Sequence, residues 1–120
     1  CDASVEFKKV YINSSQKDVR IIQSPVGMPG RAFDGEFIHN VAEGKEKPRN
    51  CPFHCIKTCD YTKSPYCIIK ALYNAAKGNM KKGYAFAGTN AYLAEKISSV
   101  KEVIEKLKTD FFLSKSPLHG

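Results

Sequence analysis

The sequence predicts a mainly α-helical unit with one or two short strands, and three observations carry that expectation. Apolar residues recur at helical spacing in two windows, Ile68, Ile69, Leu72, Ala75 and Ala76, then Val100, Val103, Ile104, Leu107 and Phe111. Short β-branched or apolar runs bounded by turn residues occur at Val19 to Ile22 and at Tyr84 to Gly88. The 120 residues leave room for one domain, which buries roughly two-thirds of the surface of its unfolded chain.

Composition narrows the class. An apolar share of 42% with 26% charged residues speaks against both disorder and a membrane span, and no apolar run approaches the ~18 residues a spanning helix needs. The net charge of +7 is unevenly spread: no Asp or Glu stands between Tyr61 and Ala94, where Lys63, Lys70, Lys77, Lys81 and Lys82 interleave with tyrosines. A solvated lysine face explains this stretch better than a nucleic-acid surface does. Four of the five cysteines fall within seventeen residues and Cys1 stands alone, unlike the even, dispersed set of a secreted disulfide framework. The compartment expected is the cytoplasm. Opening on Cys1 and moving at once into a helical pattern is expected of a piece of a longer chain.

In chain order, Asp2 is a candidate cap for a helix over about 3–13, with Phe7 and Tyr11 stacked one turn apart. Val19 to Ile22 reads as a strand that needs a partner elsewhere. Residues 31–43 hold Ala32, Phe33, Phe37, Ile38 and Val41, read as a helical stripe closed by Gly44. His39 lies within it. After a charged linker, Ser64 and Pro65 are expected to start a helix with Cys67 in its first turn, the five apolar residues from Ile68 to Ala76 inward, and a stop at Gly78. Tyr84 to Gly88 is either a buried extended segment or a packed loop, and Thr89 to Tyr92 caps a short helical turn through Lys96. Ser99 with Glu102 forms a capping box for the last helix, and SKSPLHG, which contains His119, is a frayed tail.

Two stretches carry candidate chemistry. In SPVGMPGR, two prolines stiffen a loop whose glycines can take positive φ, so Ser24, Gly27, Met28, Gly30 and Arg31 are substrate or lid candidates. Arg31 stands at the expected helix start, where an anion could meet it. A plain connecting loop is the competing reading. In the second stretch, Cys51, Cys55, Cys59 and Cys67, with His54 as a substitute, could supply the ligands of a zinc ion or an iron–sulfur cluster. The spacing matches neither paired C-x2-C ribbons nor the ferredoxin run, so free buried thiols compete with a metal site.

Several blocks in order resemble one family: SPVGMPGRA, CIKTCD, SPYCIIKAL, and KGYAFAGTNAY followed by KISSVKEVIEKL. They look like the carboxy-terminal part of nitronate monooxygenases, FMN-dependent enzymes also called 2-nitropropane dioxygenases and related to flavin-dependent enoyl-acyl-carrier-protein reductases. The resemblance implies a helical cap segment of a (β/α)8-barrel enzyme, with 1–23 the last barrel helix and an arm, 24–113 the helical cap and 114–120 a tail. It implies FMN in the parent enzyme, bound by upstream loops, and an upstream catalytic histidine that none of His39, His54 or His119 matches. No catalytic residue is therefore expected in this chain, which alone should be inactive. Implied partners are the rest of the barrel and a small nitronate or enoyl substrate. Leu93 departs from the pattern, standing where an arginine is expected.

The reading from a different class is a small cysteine-cluster metal-binding module that presents a basic, aromatic surface to nucleic acid.

Overall fold

The computed structural model describes residues 1–115, and among them are four helices and one two-stranded sheet. The elements are α1 (Val5–Ile12), β1 (Val19–Ile22), β2 (Gly30–Phe33), α2 (Glu36–Ala42), α3 (Ile68–Ala76) and α4 (Val100–Lys115), with short 3-10 turns at Gln16–Asp18 and Ala91–Leu93. The largely helical content matches the expectation, and the partner that β1 required overlaps the start of the segment read as the 31–43 helix. β1 and β2 are antiparallel, with Val19 opposite Phe33, Arg20 opposite Ala32, Ile21 opposite Arg31 and Ile22 opposite Gly30.

β2 replaces the first turn of the expected helix because both its edges are occupied. Beyond β1, the Phe33 amide donates to the Ala85 carbonyl at 3.1 Å and the Ala87 amide donates to the Arg31 carbonyl at 2.9 Å. Tyr84 to Gly88 is thus extended, buried at Tyr84 and Ala85 and exposed at Phe86, which is 39% accessible, and at Gly88. Helix α2 then starts only after Asp34 and Gly35, and Gly44, at a φ of 73°, turns the chain away from its end.

The core is aromatic. Phe37, Tyr66 and Tyr84 are almost wholly buried, with Ile22, Ala32, Ile38 and Ala71 around them. Phe37 and Tyr84 stack at 5.9 Å, and Tyr66 meets both edge-on, at 5.4 Å and 5.6 Å. Such pairs add about 0.5–1.5 kcal/mol each beyond burial. The two hydroxyls satisfy one another at 2.9 Å, and Tyr66 also reaches the Gln23 carbonyl at 3.3 Å.

Helix α3 faces this core differently from its apolar pattern. Ala71 and Ala75 are buried and Ile68 packs against the core, while Leu72 is 37% exposed and Ala76 is exposed, so the expected inward set holds at Ile68 and Ala75, is corrected at Leu72 and Ala76, and gains Ala71. Gly83 gives the reason: its missing side chain lets the backbone there press against α3 at the Ala71 carbonyl and the Ala75 nitrogen, where the helix carries only alanines.

Two helix starts and the end of one turn also differ in detail. Ser4, not Asp2, caps α1, its hydroxyl accepting from the Phe7 amide at 3.2 Å. Cys67 is the N-cap of α3 and makes no side-chain cap bond, whereas Ser64 is buried with its hydroxyl 3.4 Å from the Cys59 sulfur. The turn after Thr89 ends at Leu93 rather than Lys96. At α4 the capping box forms as expected: the Ser99 amide donates to Glu102 at 2.7 Å and the Glu102 amide donates to the Ser99 hydroxyl at 3.2 Å. Ser114 and Lys115, assigned to the tail, continue α4. The remainder of that tail, with His119, lies outside the described residues.

Candidate functional site

The SPVGMPGR stretch is a hairpin connection, and its chemistry follows from how it is held. The Ser24 hydroxyl accepts from the Val26 amide at 3.3 Å and the Ser24 carbonyl accepts from the Gly27 amide at 3.3 Å, a tight turn with Pro25 at its corner. Pro25 is buried, which seats the turn on the core. Gly27 takes a φ of 89°, a left-handed conformation that favours glycine. Beyond it Met28 is 68% exposed, at the outer part of the loop. The Tyr66 hydroxyl reaches the Gln23 carbonyl from below, so the loop leaves the aromatic core at a fixed point.

Gly30 is where close approach matters. A Cβ built on it would come within 2.7 Å of the Phe86 ring, so β2 and the 85–87 segment meet there at glycine distance. This contact shapes a pocket of about 390 Å³ lined by Ile21, Pro29, Gly30, Arg31, Ala87 and Gly88. Arg31 is corrected from a helix start to the middle of a β-strand: its backbone is held on both sides, while its side chain is exposed and makes no ion pair among the described residues. What it offers an anion is a guanidinium on a strand and not a helix terminus.

Of the five candidates in this stretch, the structure brings Gly30 and Arg31 together at the pocket, whereas Ser24 and Gly27 shape the turn behind it and Met28 stands outside its lining. Ala87 and Gly88 were missed. Their signal was the alternation in YAFAG, which marks an extended segment without saying which strand it meets.

The groups that could move protons are poorly placed for it here. Burial pushes the Tyr66 and Tyr84 hydroxyls above the ordinary tyrosine value, so both are neutral near neutral pH. His39 lies outside the pocket, its Nε2 3.1 Å from an Asp34 carboxylate oxygen that also meets Arg20 at 3.1 Å. Burial raises the Asp34 carboxyl, but the Arg20 and His39 hydrogen bonds outweigh it and hold the group below the usual carboxylate range. His54 sits in the loop before α3 with a φ of 47°.

The cysteines do not converge. Cys51, Cys55 and Cys59 lie in an irregular segment and not along one helix face, all five cysteines are free thiols, and among the described residues no group of three or more His, Cys, Asp or Glu side chains is placed to hold a metal ion. The turn that follows Cys59 is organised by Asp60, whose carboxylate accepts from the Thr62 amide at 3.0 Å and its hydroxyl at 2.6 Å. No helix among the described residues is long and apolar enough to cross a membrane.

The family model for nitronate monooxygenase matches residues 1–110, and no curated protein matches the chain. With nearly its whole length matched, the chain belongs to the nitronate monooxygenase family.

Proposed function

We propose that this member of the nitronate monooxygenase family is the carboxy-terminal cap of an FMN-dependent (β/α)8-barrel oxidoreductase. It supplies lid and substrate-pocket surface and leaves the chemistry to residues upstream. Ligands of such barrels sit at the carboxy ends of the strands, where a segment that follows the last strand covers them. A lid there excludes water from the reaction and fixes the shape of the pocket. The free thiols of this chain fit a reducing compartment such as the cytoplasm.

Among the described residues, no helix start joins open backbone N–H groups to closely preceding glycines, the arrangement of a glycine-rich flavin phosphate cradle. Such a cradle needs open backbone N–H groups beside glycines at a helix start. Here the Gly35 amide before α2 donates to Asp34 at 3.0 Å, and the starts of α1 and α4 are closed by Ser4 and by the Ser99–Glu102 pair. Gly30 faces the Phe86 ring, and no glycine precedes α3 closely. Bound FMN would supply the electron-accepting chemistry, and its phosphate belongs to the upstream part of the enzyme.

The observation that carries the lid reading is Arg31. It is exposed on a strand whose backbone is locked on both sides, opposite an Ile21 that is 64% exposed and beside the pocket. A guanidinium fixed in this way next to apolar surface suits a carboxylate or nitro oxygen pair on a small organic substrate.

The test is Arg31→Ala in the full-length enzyme, which is expected to lower kcat/KM about tenfold, the scale of ~1.4 kcal/mol for one charged contact, with flavin content unchanged. Flavin loss in that variant would move the loop to the cofactor. Unchanged kinetics with normal melting would make it a connector.

A further inference from the structure

A second cavity, of about 660 Å³, lies on the other side of the aromatic core, and nothing in the lid reading uses it. Its size is that of a small-molecule site. Its wall is strongly basic: Lys45, Lys47, Arg49, Lys70 and Lys82 line it, against the single carboxylate of Glu46. Two of these cations are already matched, Lys82 by Glu46 at 3.4 Å and Lys45 by Glu43. Lys47, Arg49 and Lys70 make no ion pair among the described residues, so three positive charges face one concavity without compensation.

The start of α3 adds a second anion-binding element. Cys67 lines the cavity and caps α3 without a side-chain hydrogen bond, so its side chain leaves the first-turn N–H groups free. Lys70 stands on that same turn. The cavity also has an aromatic wall: Phe53, 47% exposed, lines it above the buried Phe37 and Tyr66. Three unmatched cations suit the roughly three negative charges of a diphosphate group near neutral pH, and an exposed phenylalanine suits the face of a base.

We infer that this cavity binds a nucleoside diphosphate, its phosphates on Lys47, Arg49, Lys70 and the amino end of α3 and its base against Phe53. The site is independent of the lid reading, since it shares no lining residue with the Arg31 pocket.

Calorimetric titration of the purified 120-residue protein with ADP tests it. Saturable one-to-one binding is expected, weakening steeply as salt is added and absent for adenosine. Arg49→Glu with Lys70→Glu, both exposed positions, should weaken ADP binding about tenfold or more while leaving the circular dichroism and melting unchanged. ADP should also slow alkylation of Cys67, read by mass spectrometry, and leave Cys1 and Cys55, exposed and outside the cavity, unaffected.

Several results would overturn the proposal. ADP binding that survives the double variant, or that does not protect Cys67, would place the ligand elsewhere. Pyrophosphate binding as tightly as ADP and unaffected by Phe53→Ser would remove the nucleoside from the assignment. Stoichiometric FMN with no response to ADP would overturn both this site and the upstream placement of the flavin.

Discussion

A methyl group built on Gly83 would stand 2.1 Å from the Ala71 carbonyl oxygen and 2.7 Å from the Ala75 backbone nitrogen. Both of those atoms are backbone, so neither can swing aside as a side-chain tip would. The neighbours that face this contact, Ala71 and Ala75, are both almost wholly buried, and each is already the smallest residue that carries a Cβ. Gly83→Ala must therefore lever the 83–87 segment off α3, and with it Tyr84 and the outer edge of β2. The expected loss is about 3 kcal/mol or more, at the upper end of overpacking, measured by thermal or urea melting. Gly88→Ala is the control: nothing lies within 4 Å of its built Cβ, so its melting should stay within about 0.5 kcal/mol of the parent. Equal behaviour of the two variants would mean that the close approach does not organise the core.

Helix α4 shows local signals and tertiary packing acting separately. Its capping box forms as Ser99 and Glu102 announce, yet no residue along its length is buried, so its stability within this chain comes from its own caps and i,i+4 contacts such as Lys106 to Asp110 at 2.7 Å. Ser99→Ala should accordingly raise amide exchange across the first turns of α4 by about 1 kcal/mol of local stability, with no change in the melting of the aromatic core. A fall in core melting would show that α4 is packed after all. The same separation explains what could be read in advance. Caps, turns and the β-branched Val19 to Ile22 are signals written in adjacent residues. The strand role of Gly30–Phe33 depends on partners from both directions, Ile22 before it and Ala85 to Ala87 far beyond it, while its own Phe33, followed by Phe37, Ile38 and Val41, imitates a helical stripe. The inward face of α3 was hidden for a related reason: Gly83, distant in sequence, selects Ala71 over Leu72. At the candidate site, the loop grouping of Gly30 with Arg31 was legible from the prolines and glycines, and Ala87 and Gly88 were not, because they arrive through strand pairing.

At the scale of the whole molecule, the apolar surface is not closed. The radius of gyration is 17.6 Å, against about 14 Å for a compact domain of this length, and the longest dimension is 60 Å. Val103, Ile104, Leu107 and Phe111 on α4 are all between 44% and 59% exposed, while Leu72 and Tyr73 give α3 a second apolar face away from the core. A helix that is apolar on both sides is one that packs on both sides. On the proposed reading these faces rest against the barrel and its outer helices, which accounts for four helically spaced apolar positions on α4, none of them buried in this chain alone. Ile104→Glu with Leu107→Glu separates the possibilities, because the same pair of changes can be made in two contexts. In the 120-residue protein it should leave melting within about 0.5 kcal/mol, since neither side chain is buried there. In the full-length enzyme it should cost about 1.5–3 kcal/mol per buried side chain and lower activity in parallel as the cap lifts from the barrel mouth. Equal tolerance in both contexts would leave α4 a solvent-facing appendage and remove the docked cap from the proposed function, whereas destabilisation already in the short protein would show that α4 packs against this chain's own core.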